Sequence, residues 1–219
     1  MVNTLAWSIG TFALRPDVQQ KAYNAICEVY GQDSWGPIED EATVPYISAL
    51  VKECLRVFCV LRLSLPRATY KDVQYGDTFI PNGTTVFLNA WGCNRDEKVY
   101  GPDVNSFRPE RFLDDPDLPH AAYGFGTRMC AGVHLANRQL YVMILRLIWS
   151  FKIELDSRDD SQWTMRALED VTDPWHLAAI PPGYKVRFVP RNSEALEDVL
   201  GGLKEEGFDV GLKTAVVSI

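Results

Sequence analysis

Apolar residues recur at helical spacing in four stretches of the chain, over residues 2–14, 16–31, 43–58 and 135–151. Pro16 separates the first two stretches and suits the first turn of the second, and the glycine at the end of that second stretch suits a helix stop. The last stretch is the most apolar of the four. The pattern therefore predicts four α-helices.

A different pattern follows the third helix, with β-branched and aromatic residues around turn residues. Residues 78–80 and 84–89 flank a Pro-Asn-Gly turn at residues 81–83. Asn and Gly supply the positive-φ positions of a tight turn, and the flanking residues favour strands. We predict a β-hairpin formed by these two segments.

Three further segments carry weaker signals. Residues 92–129 are rich in proline and glycine and predict no regular element; such a long connection inside a domain is usually functional. Apolar and charged residues alternate over residues 184–188, which predicts a late strand. From Arg191 onward the chain is acidic and then weakly apolar, and its pattern predicts no structure.

The composition is that of an ordinary soluble globular protein. The 219 residues are 47% hydrophobic and 23% charged, which disfavours a disordered chain, a fibrous repeat or a small disulfide scaffold. The apolar stretches Val2–Leu14 and Leu140–Phe151 fall short of the about 20 residues that a bilayer span needs. We therefore expect no transmembrane helix and no secretory signal. The net charge of −7 argues against general nucleic-acid binding.

The cysteines bear on the redox compartment and on metal chemistry. The five residues Cys27, Cys54, Cys59, Cys93 and Cys130 form no C-x-x-C pair. Zinc and iron–sulfur sites usually show closer pairing, and secreted disulfide frameworks an even count. Free thiols in a reducing compartment are therefore predicted.

Cys130 has the most unusual surroundings of the five, with Gly126, Arg128 and Gly132 beside it and the fourth predicted helix directly after it. Glycines let a backbone pass close to a flat ligand, and a helix N-terminus with a nearby arginine favours a thiolate. A thiolate held in this way is a good axial ligand for haem iron. The alternative is a buried free cysteine in a glycine-rich turn, which is commoner for an isolated cysteine. The spacing favours the ligand.

Residues 123–132 resemble the cysteine-loop signature F-x-x-G-x-R-x-C-x-G of the haem-thiolate monooxygenases of the cytochrome P-450 superfamily. Tyr123 takes the place of the leading phenylalanine and adds a hydroxyl that needs a partner. The resemblance implies that Cys130 is the axial ligand of the iron of haem b. The residues it assigns to haem binding in this loop are Tyr123, Gly124, Phe125, Gly126, Arg128, Cys130 and Gly132.

Glu53 and Arg56 lie three residues apart on the third predicted helix, so they share a face and can pair. Most such pairs are solvated surface contacts. This segment, however, resembles the E-x-x-R helix of the superfamily, and Phe107–Phe112 resembles its P-E-R-F segment. The resemblance implies that Arg111 joins Glu53 and Arg56 in a buried structural network beneath the haem, one that specifies geometry more than it adds stability.

Arg67 lies between the third helix and the predicted hairpin, where the superfamily carries an Arg or His that binds a haem propionate. The resemblance implies that Arg67 and Arg128 bind the two propionates, a role that suits the guanidinium fork. The alternative for Arg67 is an exposed position at a strand edge. Histidine is the other common haem ligand. The three in this chain are expected on the surface or at helix caps: His120, His134 and His176.

The motifs occur in superfamily order, which has consequences for the fold. The resemblance implies a mainly α fold with small β-sheets, corresponding to the C-terminal half of the cytochrome P-450 fold. Its parts are the end of the long central helix, the E-x-x-R helix, a β-hairpin, a meander, the cysteine loop and a long C-terminal helix. Residues 1–190 would form the partial domain on the proximal haem side, and residues 191–219 a tail of uncertain structure. The acid and alcohol that relay protons to oxygen would fall at or before Met1, as would a membrane anchor, so no catalytic residue is assigned within the chain.

The implied function is a monooxygenase that inserts one oxygen atom from O2 into a small organic substrate. Its electrons would come from NADPH through cytochrome P-450 reductase, at the cytoplasmic face of the endoplasmic reticulum membrane. Four basic residues near the haem loops are candidates for the docking face of the reductase: Arg95, Lys98, Arg108 and Arg138.

Two questions stay open at this point. Residues 128–138 and the segment 180–191 are similar to fungal phenylacetate hydroxylases of the superfamily, so an aromatic acid is a candidate substrate. The alternative class of function is a non-catalytic haem-binding fragment or pseudo-enzyme, because half of the pocket would be open to water.

Overall fold

The structure is a computed structural model that describes residues 1–37, 42–157, 163–205 and 215–218. The described helices are α1 (Val2–Leu14), α2 (Pro16–Tyr30), α3 (Pro45–Phe58), α4 (Ala90–Cys93), α5 (Glu97–Tyr100), α6 (Arg111–Asp114), α7 (Val133–Ser150) and α8 (Ser193–Glu205). The strands are β1 (Arg67–Ala68), β2 (Val73–Tyr75), β3 (Thr78–Ile80), β4 (Thr85–Val86), β5 (Phe151–Leu155), β6 (Lys185–Pro190) and β7 (Ala215–Ser218). The predicted mainly helical fold with small sheets is confirmed.

The four predicted helices are confirmed as α1, α2, α3 and α7. Helix α3 begins at Pro45, since proline has no N–H to leave unsatisfied in a first turn. Helix α7 ends at Ser150 because Phe151 already has extended backbone and begins β5. None of the helices in the described part of the chain is long and apolar enough to cross a membrane.

The prediction that residues 92–129 lack regular elements is wrong. This segment contains the second half of α4 and all of the single-turn helices α5 and α6, together with a 3-10 turn at Gly126–Arg128. Side chains cap α4 and α5: Asn89 Oδ1 accepts from Gly92 N at 2.9 Å, and Asp96 Oδ1 accepts from Lys98 N at 2.9 Å. These local caps stabilise helical turns too short to produce a periodic pattern.

The predicted hairpin between residues 78–80 and 84–89 is also wrong. Strand β3 pairs with β2 across the turn at Gly76, and β4 pairs with β1, in two separate two-stranded sheets. Thr69 explains the difference, because its carbonyl accepts from Gly83 N at 2.8 Å and its hydroxyl donates to the carbonyl of Pro81 at 2.7 Å. The Pro-Asn-Gly turn is thus closed by a third segment and carries the chain from one sheet to the other.

The C-terminal part of the chain forms a three-stranded antiparallel sheet in the order β5-β6-β7. Strand β6 confirms the predicted late strand. Residues from 191 onward also contain α8, whose Ala195, Leu196 and Leu200 are buried in the main core. Residues 206–214 and 219 of the predicted tail lie outside the described residues.

Helix α1 connects the core to the C-terminal segment. Trp7 is fully buried, its ring stacks on Phe58 with centroids 5.2 Å apart, and its Nε1 donates to the carbonyl of Ala179 at 3.0 Å. Gly10, on the same helix, leaves room for Met165: a Cβ at position 10 would lie 2.1 Å from Met165 Cε. Met165 is buried and has a φ of 54°, so the loop that carries it is held against α1 in a strained conformation.

Gly10→Ala is therefore expected to destabilise the chain by about 1–2 kcal/mol, although alanine is the better helix former by about 1 kcal/mol. The measurement is urea unfolding. In a Met165→Ala background the steric conflict is gone, so the same substitution should become stabilising by up to about 1 kcal/mol. If Gly10→Ala stabilises both backgrounds equally, Met165 does not restrict position 10.

Candidate functional site

The cysteine loop crosses from α6 to α7 and leaves Cys130 exposed two residues before Gly132, the N-cap of α7. Gly124 and Gly126 have φ angles of 76° and 66°, which side-chain-bearing residues rarely adopt. The loop closes on itself because Cys130 N donates to the carbonyl of Tyr123 at 3.0 Å. This hydrogen bond and the two glycine conformations fix the backbone next to the exposed Cys130 thiol.

An apolar cavity of about 360 Å³ lies between this loop and the strands β1 and β4. Leu65, Phe87 and Phe125 line it, and each is more than half exposed. Exposed large apolar side chains that surround one cavity indicate a surface that binds something apolar. Gly124 and Gly126 also line the cavity and add no side chain to it.

Arg67 and Arg128 both line this cavity. Arg67 is the first residue of β1, and its Nη2 donates to the backbone carbonyl of Arg128 at 2.9 Å. Arg67 is exposed, as the alternative interpretation required, but it is also joined to the cysteine loop. The structure thus brings both predicted propionate ligands to one cavity.

Glu53, Arg56 and Arg111 lie together in a buried network. Arg56 Nε and Nη2 donate to the two Glu53 carboxylate oxygens at 2.7 and 2.8 Å, and Arg111 Nε approaches the same carboxylate at 3.2 Å. Arg108 N adds a fourth bond to Glu53 at 2.8 Å. All three side chains are at most 1% exposed, so each charge depends on its partners.

The two guanidiniums also satisfy backbone carbonyls of the irregular segment 94–106. Arg56 donates to the carbonyls of Asn94, Val104 and Ser106 at 3.0, 2.7 and 3.2 Å. Arg111 donates to those of Tyr100, Asp103 and Ser106 at 3.0, 3.1 and 3.2 Å. Buried carbonyls outside helices and strands need such partners. The network therefore fixes this segment against α3.

Asn94 connects this network to the cysteine loop, a role that the sequence did not indicate. Its side chain is fully buried; Nδ2 donates to the carbonyl of Arg56 at 3.1 Å, and Oδ1 accepts from Ala121 N at 2.6 Å. Ala121 in turn accepts from Gly124 N at 3.0 Å. A continuous set of hydrogen bonds thus runs from Arg56 to the start of the cysteine loop.

Tyr123 finds the partner that its hydroxyl needs, because its OH donates to Asn137 Oδ1 on α7 at 2.8 Å. Burial, with a contribution from Cys130, raises the pKa of Tyr123 to about 12. The ring packs beside His120, with centroids 5.5 Å apart. His120, expected at the surface or at a helix cap, is partly buried, with its Nδ1 inaccessible to solvent, whereas His134 is exposed.

His120 should make the chain sensitive to acid. Burial, with a contribution from nearby Lys52, lowers the pKa of His120 to about 4. Because the unfolded side chain titrates near pH 6.5, the unfolded state binds the proton first, and stability falls as the pH drops from about 6.5 towards 4. We expect His120→Gln to recover about 2–3 kcal/mol of that loss, measured by urea unfolding across this range. Equal recovery in His176→Gln, an exposed control, would contradict this role.

Two of the four residues predicted to form the basic docking face, Arg95 and Arg108, do not present a free charge there. Arg95 packs inward, with its guanidinium carbon 3.2 Å from the Trp91 ring centroid and a bond from Nη2 to the carbonyl of Val57 at 2.7 Å. Arg108 is neutralised by salt bridges to Asp103 and Asp114 at 2.8 and 2.9 Å. Lys98 and Arg138 remain exposed.

Comparison with known proteins agrees with these motifs. The chain is 48% identical over 202 residues to a 3-hydroxyphenylacetate 6-hydroxylase of Emericella nidulans, a match that covers 91% of this chain and 38% of the relative. It is 39% identical to a phenylacetate 2-hydroxylase of the same organism, covering 80% and 35%, and 35% identical to a fumitremorgin C synthase of Aspergillus fumigatus, covering 85% and 35%. The chain thus spans little more than a third of the length of these relatives. The family model for cytochrome P-450 matches residues 1–186. The chain therefore belongs to the cytochrome P-450 family.

Proposed function

We propose that this chain carries the haem-thiolate site of a monooxygenase that inserts one oxygen atom from O2 into a small organic substrate. The observation that carries the proposal is an apolar cavity lined by Arg67, Arg128 and other residues of the loop that carries the exposed Cys130 thiol. An apolar surface, a thiolate donor and two cations are what an iron porphyrin with two propionates requires.

The residues present fit haem b in their chemistry. Cys130 would bind the iron as a thiolate, and the positive end of α7 favours that charge. Leu65, Phe87 and Phe125 would cover the porphyrin face. When bound, the haem supplies the binding and activation of dioxygen. The Cys130 thiolate would supply electron density to the iron, and the bond from Cys130 N to the carbonyl of Tyr123 holds the loop in place.

The remaining assignments belong to the same proposal. The motif order supports the C-terminal half of the family fold, with residues 1–190 as a partial domain and 191–219 as a tail, and the 38% share of the first relative is consistent with a partial domain. No residue of this chain is assigned to proton relay. Electrons would come from NADPH through cytochrome P-450 reductase, at the cytoplasmic face of the endoplasmic reticulum. The names of two relatives, a 3-hydroxyphenylacetate and a phenylacetate hydroxylase, support an aromatic acid as substrate.

One observation favours a second candidate, a haem-binding chain without catalysis. Leu65 and Phe87 are each 55% exposed, so haem bound to these residues alone would have one side open to water. An open site loses the exclusion of water that oxygen chemistry requires. Substrate turnover by the haem-loaded chain distinguishes the two candidates, since the second predicts haem binding without product.

The test of the haem site is spectroscopic. The 219-residue chain, loaded with haem and reduced under carbon monoxide, should give a thiolate-type Soret band, and Cys130→Ser should abolish that band because serine cannot supply a thiolate. Cys93→Ser is the matched control, since Cys93 is also an exposed free cysteine. A thiolate-type band that survives Cys130→Ser would overturn the assignment.

A further inference from the structure

A second cavity, of about 500 Å³, lies among the C-terminal ends of α1 and α3, helix α4 and the loop 164–169. It shares no lining residue with the cavity beside Cys130. Three aromatic side chains line it, from Phe58, Trp91 and Phe107, and Arg95 lies against the same space. A volume of this size is within the about 300–1,000 Å³ of small-molecule sites.

Two guanidiniums contact the Trp91 ring beside this cavity. The guanidinium carbons of Arg95 and Arg62 lie 3.2 and 4.8 Å from the ring centroid. Arg95 Nη1 and Arg62 Nε are buried and have no hydrogen-bond partner. In the part of the chain that the structure describes, neither guanidinium forms a salt bridge with a carboxylate.

These two neighbouring cations repel each other and lack, among the described residues, a paired counter-charge that would offset the repulsion. Burial, with a contribution from the charges of Arg56 and Arg62, lowers the pKa of Arg95 to about 10. Contact with Trp91 offsets part of this cost. A carboxylate would offset more, because charge-assisted hydrogen bonds to a guanidinium are among the strongest in proteins.

We propose that this cavity binds a small aromatic carboxylate, whose ring packs against Phe107 and Trp91 and whose carboxylate pairs with Arg95. The charges of the lining support an anion: Arg15, Arg95 and Arg166 line the cavity against the single carboxylate of Glu169. Arg15 is already paired with Asp17 at 2.7 Å, and Arg166 lies close enough to Asp170 to stabilise its carboxylate. Among the described residues, Arg95 is therefore the lining arginine without a paired carboxylate. The site does not depend on haem.

The test is calorimetric titration of the haem-free 219-residue chain with three probes at neutral pH. Phenylacetate carries both the ring and the charge, phenylacetamide lacks the charge, and acetate lacks the ring. We expect saturable one-site binding of phenylacetate and at least about tenfold weaker binding of the other two probes. Equal affinity for phenylacetamide would overturn the proposal, because it would leave Arg95 without a role, and so would the absence of phenylacetate binding.

Substitutions of Arg95 and Arg67 show which cavity binds phenylacetate. Arg95→Gln should weaken phenylacetate binding by roughly 10- to 100-fold, and Arg95→Lys by less, since it keeps the charge but loses the fork. The circular dichroism spectrum of each variant verifies that it is folded. Arg67→Gln is the control, because Arg67 lines only the cavity beside Cys130. Loss of binding in Arg67→Gln with retention in Arg95→Gln would overturn the proposal by placing the ligand beside Cys130.

Discussion

Replacing Glu53 by glutamine is expected to lower the free energy of unfolding by about 3–5 kcal/mol, a large part of the stability of an ordinary domain. The substitution leaves the guanidinium of Arg56 buried without its counter-charge. Arg111 keeps only the longer contact with Asp103, at 3.4 Å. It also places an amide NH2 among the four N–H groups that converge on the carboxylate, two from Arg56 and one each from Arg111 and the backbone of Arg108. Urea unfolding of the 219-residue chain measures the loss.

Glu154→Gln is the matched control for this prediction. Glu154 lies on β5 and also contacts two basic side chains, Lys152 and Arg187, but these are about half exposed. Exposed pairs contribute about 0–1 kcal/mol, so this variant should remain close to the wild type in stability. Similar losses of unfolding free energy in the two variants would show that burial is not the reason why the Glu53 network stabilises the chain.

Apolar replacement of the whole network should not recover the stability that Glu53→Gln loses. Buried ion pairs can often be exchanged for hydrophobic residues at little cost. Here Arg56 and Arg111 donate to carbonyls of Asn94, Val104 and Ser106 among others, and these would lose their partners. The network acts as the backbone partner of a segment that has few partners of its own.

The fold was predictable where local signals agree with tertiary structure. Prolines, the glycine stop after α2 and apolar spacing located α1, α2, α3 and α7 to within about two residues. The hairpin failed because an Asn-Gly turn is a local signal, whereas Thr69, twelve residues before Pro81, decides which strand the turn joins. The pattern of α8 was overlooked, although Asn192 caps it by accepting from Ala195 N at 3.1 Å.

The candidate site divides in the same way. Residues three apart on a helix share a face, so the pairing of Glu53 and Arg56 could be expected from their separation in the sequence. Arg111 was placed with them only through resemblance, because its partner is 58 residues away. The bonding role of Asn94 has no local signal, since its partners lie 38 and 27 residues away and an asparagine in a loop ordinarily indicates a turn.

Replacing Asn94 by leucine, which has a similar volume, is expected to cost about 2–5 kcal/mol of stability. The substitution leaves Ala121 N and the carbonyl of Arg56 buried without their present partners. The loss should also reach the cysteine loop, because Ala121 holds Gly124 N. We expect faster amide hydrogen exchange over residues 121–130, measured together with urea unfolding. Asn94→His should recover much of both effects, because imidazole supplies one donor and one acceptor.

Asn89→Ala tests whether this effect is specific to Asn94. Asn89 is also an asparagine that accepts a backbone N–H, but it caps α4 from an exposed position and makes no bond to residue 121. Its loss should cost about 0.5–2 kcal/mol and leave exchange over residues 121–130 unchanged. If Asn94→Leu destabilises the chain without changing exchange in the cysteine loop, Asn94 stabilises only the segment around Arg56. If exchange rises around Cys130 in Asn94→Leu alone, the buried network and the thiol belong to one cooperative unit.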